Sequence, residues 1–186
     1  MNKKIISTTV VLLAVLIIAP INIALASKPI TVDALDPILM KLDAQIVESR
    51  QVGSNVISKR ILFGYFDSGP FEGTINREFT GEEHKETGKV TVQNIVYVTD
   101  AVVTVGDREA TGEFVITMAG MIPNVKWRIT TSNLMDSETG ESVHLHGQGD
   151  SAIVGFRPPY NYPDTPFTPI HFGIDNALWG QISLTP

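Results

Sequence analysis

The sequence predicts an all-β protein in which an antiparallel barrel of eight or nine strands follows one short helix. Three observations predict this fold class. Apolar and polar residues alternate with a period of two over most of the chain after residue 57. Turn residues such as Gly106-Asp107 separate the alternating segments at short intervals, as they do in sandwiches and barrels. Several glycines lie inside the alternating segments, which indicates a sheet that bends sharply.

The clearest strand runs from Phe71 to Glu82, where Phe71, Ile75 and Phe79 share one face. This alternation fits a two-sheet sandwich as well as a barrel. A barrel is favoured because closure of the sheet removes the free edges at which molecules would otherwise pair. Gly73 also favours the barrel, since a glycine inside a strand costs stability unless the sheet bends or another backbone comes close.

A helix is predicted ahead of the barrel, over residues 36–50. The dipeptide Asp36-Pro37 supplies a favourable N-cap followed by a proline at the first helical position. Leu39, Leu42 and Ile46 then recur at helical spacing. We expect this helix to pack against the outside or one end of the barrel through these three side chains.

The first 26 residues have the pattern of a signal peptide. Lys3 and Lys4 precede an apolar stretch from Ile5 to Ala19, and Ala24-Leu25-Ala26 matches a small-x-small cleavage signature. Cleavage predicts a secreted or extracytoplasmic protein. The alternative is an uncleaved leader that anchors the protein in a membrane through residues 5–26, since a segment of that length can cross a bilayer.

These patterns divide the chain into three parts. They are a signal peptide over 1–26, an N-terminal segment with the short helix over 27–56, and a barrel domain over 57–186. The roughly 160 residues after the leader are enough for one domain with its own core.

Composition excludes several functions. The chain has 14 Lys and Arg against 20 Asp and Glu, and its net charge is −6. The basic residues are dispersed, so no nucleic-acid partner is predicted, because binding to phosphate backbones depends on clustered Lys and Arg. With no cysteine, the chain forms no disulfides and has no thiolate metal sites or cysteine nucleophile. No cofactor is predicted, since motifs for nucleotides and zinc peptidases are missing from the sequence.

Three segments carry a family resemblance. They are Phe71-Glu72-Gly73-Thr74, Arg108 to Phe114, and Gly140 followed by Leu145 to Asp150. Their pattern of glycines resembles that of the allene oxide cyclase and dirigent type of small β-barrel, which is calycin-like, over residues 57–185. The resemblance implies an eight-stranded barrel whose lumen holds a small apolar molecule, in a family that includes isomerases and proteins that direct stereochemistry. No residue here matches a catalytic position of those families, so their activity is not transferred.

Arg77 is the most unusual residue of the predicted strands, because it shares a face with Phe71, Ile75 and Phe79. A charge on the inner face of a barrel is costly unless it is paired. Two interpretations follow. In one, Arg77 projects into the lumen and binds an acidic group of a ligand; in the other, it reaches the rim or pairs with a buried carboxylate.

The predicted function is binding of a small apolar or amphiphilic molecule in the lumen. The predicted ligand-binding residues are Arg77, Phe71, Ile75, Phe79, Phe114 and Trp127. One alternative is an isomerase or cyclase-like enzyme in the same lumen, with Arg77 stabilising developing negative charge. Another is a structural or surface barrel that is filled by its own side chains and binds nothing.

His144 and His146 are the weak candidates for a metal site. They lie two residues apart on a predicted strand, where both imidazoles point to one side. His84 and His171 are the residues that could complete such a site. The simpler interpretation is that both strand histidines face solvent, so no metal is predicted.

Overall fold

The computed structural model of the chain describes residues 30–157 and 172–186. The predicted signal peptide lies outside these residues, and so does the connection between the last two strands, residues 158–171, to which His171 belongs. Within them there are eight β-strands and no helix. The strands are β1 (Ile30–Val52), β2 (Asn55–Ser68), β3 (Phe71–His84), β4 (Lys89–Val105), β5 (Arg108–Met121), β6 (Asn124–Asp136), β7 (Ser142–Arg157) and β8 (Phe172–Thr185).

The strands form one antiparallel sheet that closes into a barrel in sequence order. Each strand pairs with its neighbour in the chain, and β1 pairs with β8 to complete the ring. The prediction of an all-β, antiparallel, closed sheet is confirmed. Apolar residues with a period of two place one face of every strand in the interior of the barrel, which we call the lumen.

The helix predicted over 36–50 is wrong, because these residues belong to β1. The side chains of Ile38, Met40 and Leu42 are buried with the period of a strand. Asp36-Pro37 lies in an irregularity of the β1–β8 ladder between Ala34 and Ile38. Proline has no amide hydrogen to donate and is tolerated at such irregularities, so the pair that resembled a helix start marks a bulge. Within the described residues, the sheet therefore already includes Ile30.

Two glycines explain why the strands can bend as they do. Gly112 of β5 has a φ of +147°, and a Cβ atom there would overlap the carbonyl oxygen of Asn133. At Gly149 of β7, a Cβ atom would overlap the carbonyl oxygen of Trp179. Only glycine permits these close backbone approaches, as the sequence pattern indicated.

Successive hairpins alternate between the two ends of the barrel. We call the end with the β1–β2, β3–β4 and β5–β6 turns the upper end, and the opposite end the lower end. At the lower end, the rings of Phe66, Phe71 and Phe114 pack together, with centroids 5.0 to 6.4 Å apart. These rings and the buried side chains around them fill the lower half of the lumen.

Candidate functional site

The upper half of the lumen contains a buried cation. Arg77 follows Ile75 and precedes Phe79 on the inward face of β3, and its exposed fraction is 3%. The period of the strand puts it there, because residues 75, 77 and 79 all point to one side. The structure therefore places Arg77 in the lumen, as the first of the two interpretations requires.

Two neighbours hold the guanidinium group of Arg77. Its Nη2 donates a hydrogen bond of 2.7 Å to the side-chain oxygen of Asn94, in the amide orientation that also lets the Asn94 nitrogen donate to the Gln93 carbonyl over 3.0 Å. The guanidinium carbon lies 5.8 Å from the centroid of the Phe79 ring. The guanidinium carbon of Arg60, on β2, lies 5.3 Å from the same centroid. Such distances are typical of cation–π contacts.

Arg77 has no carboxylate partner among the described residues. Its Nε is buried and has no hydrogen-bond partner among these residues. Burial lowers the pKa of Arg77 to about 10, because a charged group loses its hydration inside the barrel. At neutral pH the guanidinium is still protonated, so the barrel holds a positive charge with unused capacity to donate a hydrogen bond.

A cavity of about 110 Å³ lies beside this charge. Its buried wall is polar and contains Arg77, Asn94, Ser151 and Asn176, and Asn176 Nδ2 donates to Ser151 Oγ over 3.0 Å. Its outer wall is apolar and belongs to the upper end. The lining residues are Arg77, Phe79, Val92, Asn94, Ile122, Pro123, Val125, Ser151, Ala152, Ile153 and Asn176.

The other residues predicted to bind a ligand lie elsewhere in the lumen. Phe71, Ile75 and Phe114 are buried among the packed side chains of the lower half. The ring of Trp127 lies against Gly147, and its Nε1 donates to the Trp179 carbonyl over 2.9 Å. Of the six predicted residues, Arg77 and Phe79 line the 110 Å³ cavity.

Sequence reasoning missed three polar residues of the cavity. Asn94 lies between Val92 and Val96 on the inward face of β4, so the period of that strand could have revealed it. Ser151 and Asn176 lie on β7 and β8, and both are buried. Their meeting depends on the register of two strands that are far from β3 in sequence, which periodicity does not give.

The strand histidines lie on the outside of the barrel. His144 and His146 are exposed on β7, and His146 Nε2 is 3.3 Å from Thr185 Oγ1. His84 is on β3, and its Nδ1 lies 3.1 Å from Asn55 Oδ1. In the part of the chain that the structure describes, no three His, Asp or Glu side chains come together in a way that could hold a metal ion.

A larger hollow is a groove of about 790 Å³ on the outer face of the sheet. Its walls are mostly outward-facing side chains such as Thr117, Gln148 and Gln181. The ion pair of Lys126 with Asp150 at this groove is exposed on both sides. The groove has no buried charge, so we take the smaller lumenal cavity as the candidate functional site.

Comparisons of the chain with family models, curated proteins and solved structures find no match. Between residues 30 and 157 and from 172 onwards, the chain contains no helix of sufficient length and apolar character to span a membrane.

Proposed function

We propose that the protein is an exported carrier that binds a small amphiphilic acid in its lumen, with the acid group against Arg77. The observation that carries this proposal is the buried guanidinium, whose Nε is without a partner among the described residues at the wall of a cavity. A buried charge is costly, and an anionic ligand is the partner that would offset this cost. The leader pattern supports export, and the closed antiparallel ring supports an architecture of the calycin or allene oxide cyclase type.

The size of the cavity limits what it can enclose. About 110 Å³ is less than the roughly 150 Å³ of an apolar cavity that holds benzene. The enclosed part of the ligand is therefore an acid group with a short stretch of carbon chain. Carboxylates suit the site because a planar acid can accept from Arg77 while Asn94 and Ser151 stand beside it.

The lining supports binding more than acid–base catalysis. The described residues of the cavity wall include no His, Asp, Glu, Lys or Tyr that could move a proton at neutral pH. Arg77 alone could stabilise negative charge, but an isomerase also needs a group that takes up or delivers the proton. The wholly filled barrel is less favoured, because the packing of the lower half does not continue to the upper end.

The proposal is tested by calorimetric titration with butanoate and with butanol, which match in chain length and differ in charge. Wild-type protein should bind butanoate more tightly than butanol. Arg77→Met should weaken butanoate by about 30-fold or more, since truncation of a buried charged partner has a large effect, and should leave butanol unchanged. Arg128→Met, an arginine on the exposed face of β6, is the matched control and should change neither ligand.

Circular dichroism shows whether Arg77→Met is folded. The folded variant must have the β spectrum and the cooperative melting of the wild type. Equal binding of butanoate by Arg77→Met and wild-type protein would overturn the proposal. So would the failure of every short carboxylic acid to bind the wild type.

A further inference from the structure

We infer that the ligand is a single-chain carboxylate that enters head first, with its acid at Arg77 and its apolar chain leaving through the upper end of the barrel. This inference rests on the proposed function and gives the ligand an orientation. Three features of the described residues carry it: the filled lower half, the volume of the cavity and the character of its mouth.

Among the described residues, packed apolar side chains occupy the lumen below Arg77. Ile75, one inward position below it, is fully buried, and Phe71 and Phe114 lie below that with ring centroids 5.0 Å apart. Interiors packed in this way do not open for a ligand without a cost in stability. A molecule whose acid meets Arg77 must therefore extend its chain towards the upper end.

The cavity is polar at its buried wall and apolar at its mouth, which also favours an apolar chain that points towards the upper end. Its buried wall holds Arg77, Asn94 and Asn176. At its mouth, Ile122 and Ile153 are apolar and have exposed fractions of 44% and 37%. A ligand oriented in this way meets polar groups with its head and apolar groups with its chain.

An apolar track continues from the mouth along the rim. Phe156 has an exposed fraction of 71% and pairs in register with Ile174, whose side chain is buried in the lumen. Paired residues of adjacent strands point to the same side of the sheet, so Phe156 stands above Ile153 on the inner side of β7. Exposed apolar side chains grouped at a pocket mouth are typical of a binding surface.

A chain longer than the cavity would lie along this track and cover it. The acid and about three carbons fill a space smaller than one that holds benzene. Carbons beyond these would contact Ile122 and Ile153, and then Phe156. Carboxylates with chains longer than the cavity, of more than about four carbons, are therefore the ligand class that the site fits best.

The experiment is a titration with straight-chain carboxylates from two to ten carbons. A fully buried methylene strengthens binding about fourfold, and one that is half covered about twofold. The inference predicts a rise of about twofold per carbon that continues beyond four carbons. Octanoate carrying a bulky fluorophore on its last carbon should also bind, because that end lies outside the barrel.

Ile153→Ser tests whether the chain contacts the apolar residues at the mouth. Ile95→Ser, on the outer face of β4, is the control, because the exposed fractions of the two isoleucines are 37% and 38%. Ile153→Ser should weaken octanoate about threefold to tenfold and leave propanoate unchanged, whereas Ile95→Ser should change neither. Affinity that peaks at three or four carbons and then falls, or loss of binding by the labelled octanoate, would overturn the orientation while the acid site stands. If no carboxylate of any length binds, the proposed function itself fails.

Discussion

The two halves of the lumen are enclosed by the same sheet, but the lower half is packed with apolar side chains and the upper half contains a polar cavity. In the lower half, Phe66, Phe71 and Phe114 come from three strands and pack ring against ring. In the upper half, inward positions are taken by Arg77, by amides and by a serine, and a cavity remains between them. The tightly packed aromatic cluster and the buried charge are therefore spatially separated in this barrel: the lower half stabilises the fold, and the upper half holds a guanidinium without a carboxylate partner among the described residues.

The largest effect is expected from truncation in the lower half. Phe114→Ala should lower the free energy of unfolding by about 3–5 kcal/mol, because it removes a buried ring and leaves a cavity between Phe66 and Phe71. Urea denaturation followed by circular dichroism measures this loss. A loss below about 1 kcal/mol would show that the lower half is loosely packed and does not differ from the upper half in this respect.

A substitution in the upper half is expected to change the free energy of unfolding by a smaller amount and in the opposite direction. Arg77→Met should raise the free energy of unfolding by about 1–3 kcal/mol, because it removes a charge that burial disfavours and fills the site with a side chain of similar length. The same urea titration measures it in ligand-free protein. A marked destabilisation would mean that Arg77 is a structural element of the core, and the division between the halves would be lost.

The smallest expected effect on stability appears only at acidic pH and arises from Asp136 at the lower end of the barrel. Asp136 accepts hydrogen bonds from the backbone amides of Thr139 and Glu138 and from Arg108, over 2.9, 3.0 and 2.6 Å. The amide of Thr139, followed by the Arg108 side chain, lowers the pKa of Asp136 from 3.8 to about 2. The folded state thus binds this proton less tightly than the unfolded state, so the stabilisation is present above pH 4 and is lost as the pH falls towards 2.

Melting temperatures of wild type and Asp136→Asn between pH 7 and pH 2 test this prediction. The difference between the two proteins should be constant down to about pH 4 and should then shrink. A difference that stays the same at every pH would exclude titration of Asp136 as its cause.

Much of this architecture follows from periodicity in the sequence. Alternation along β3 is local, and it correctly put Arg77 on the same face as Phe71 and Phe79. The same signal is present in β1 at Ile38, Met40 and Leu42, but the Asp36-Pro37 pair is equally typical of a helix start and of an irregularity in a strand.

Which inward-facing residues of different strands come together in each half could not be predicted, because this depends on register between distant strands. Ser151 of β7 and Asn176 of β8 line one cavity with Arg77 of β3 only after the ring has closed. Bulges add to the difficulty: between Val98 and Ala101 the β4 ladder shifts, and Asp100 takes a φ of 50°. Such a shift changes which residues face inward, so period-two reasoning fails beyond it.

In the proposed function, the Arg77 side chain receives the acid group of the ligand. The most direct measurement is the Nε–H resonance of Arg77 in a ¹⁵N-labelled sample titrated with butanoate, assigned by its loss in Arg77→Met. Because this Nε is buried without a partner among the described residues, a bound carboxylate should move its proton signal downfield in a saturable way, and butanol should not. If butanoate binds and the Arg77 Nε–H signal stays in place, the acid is held elsewhere and Arg77 is not its partner.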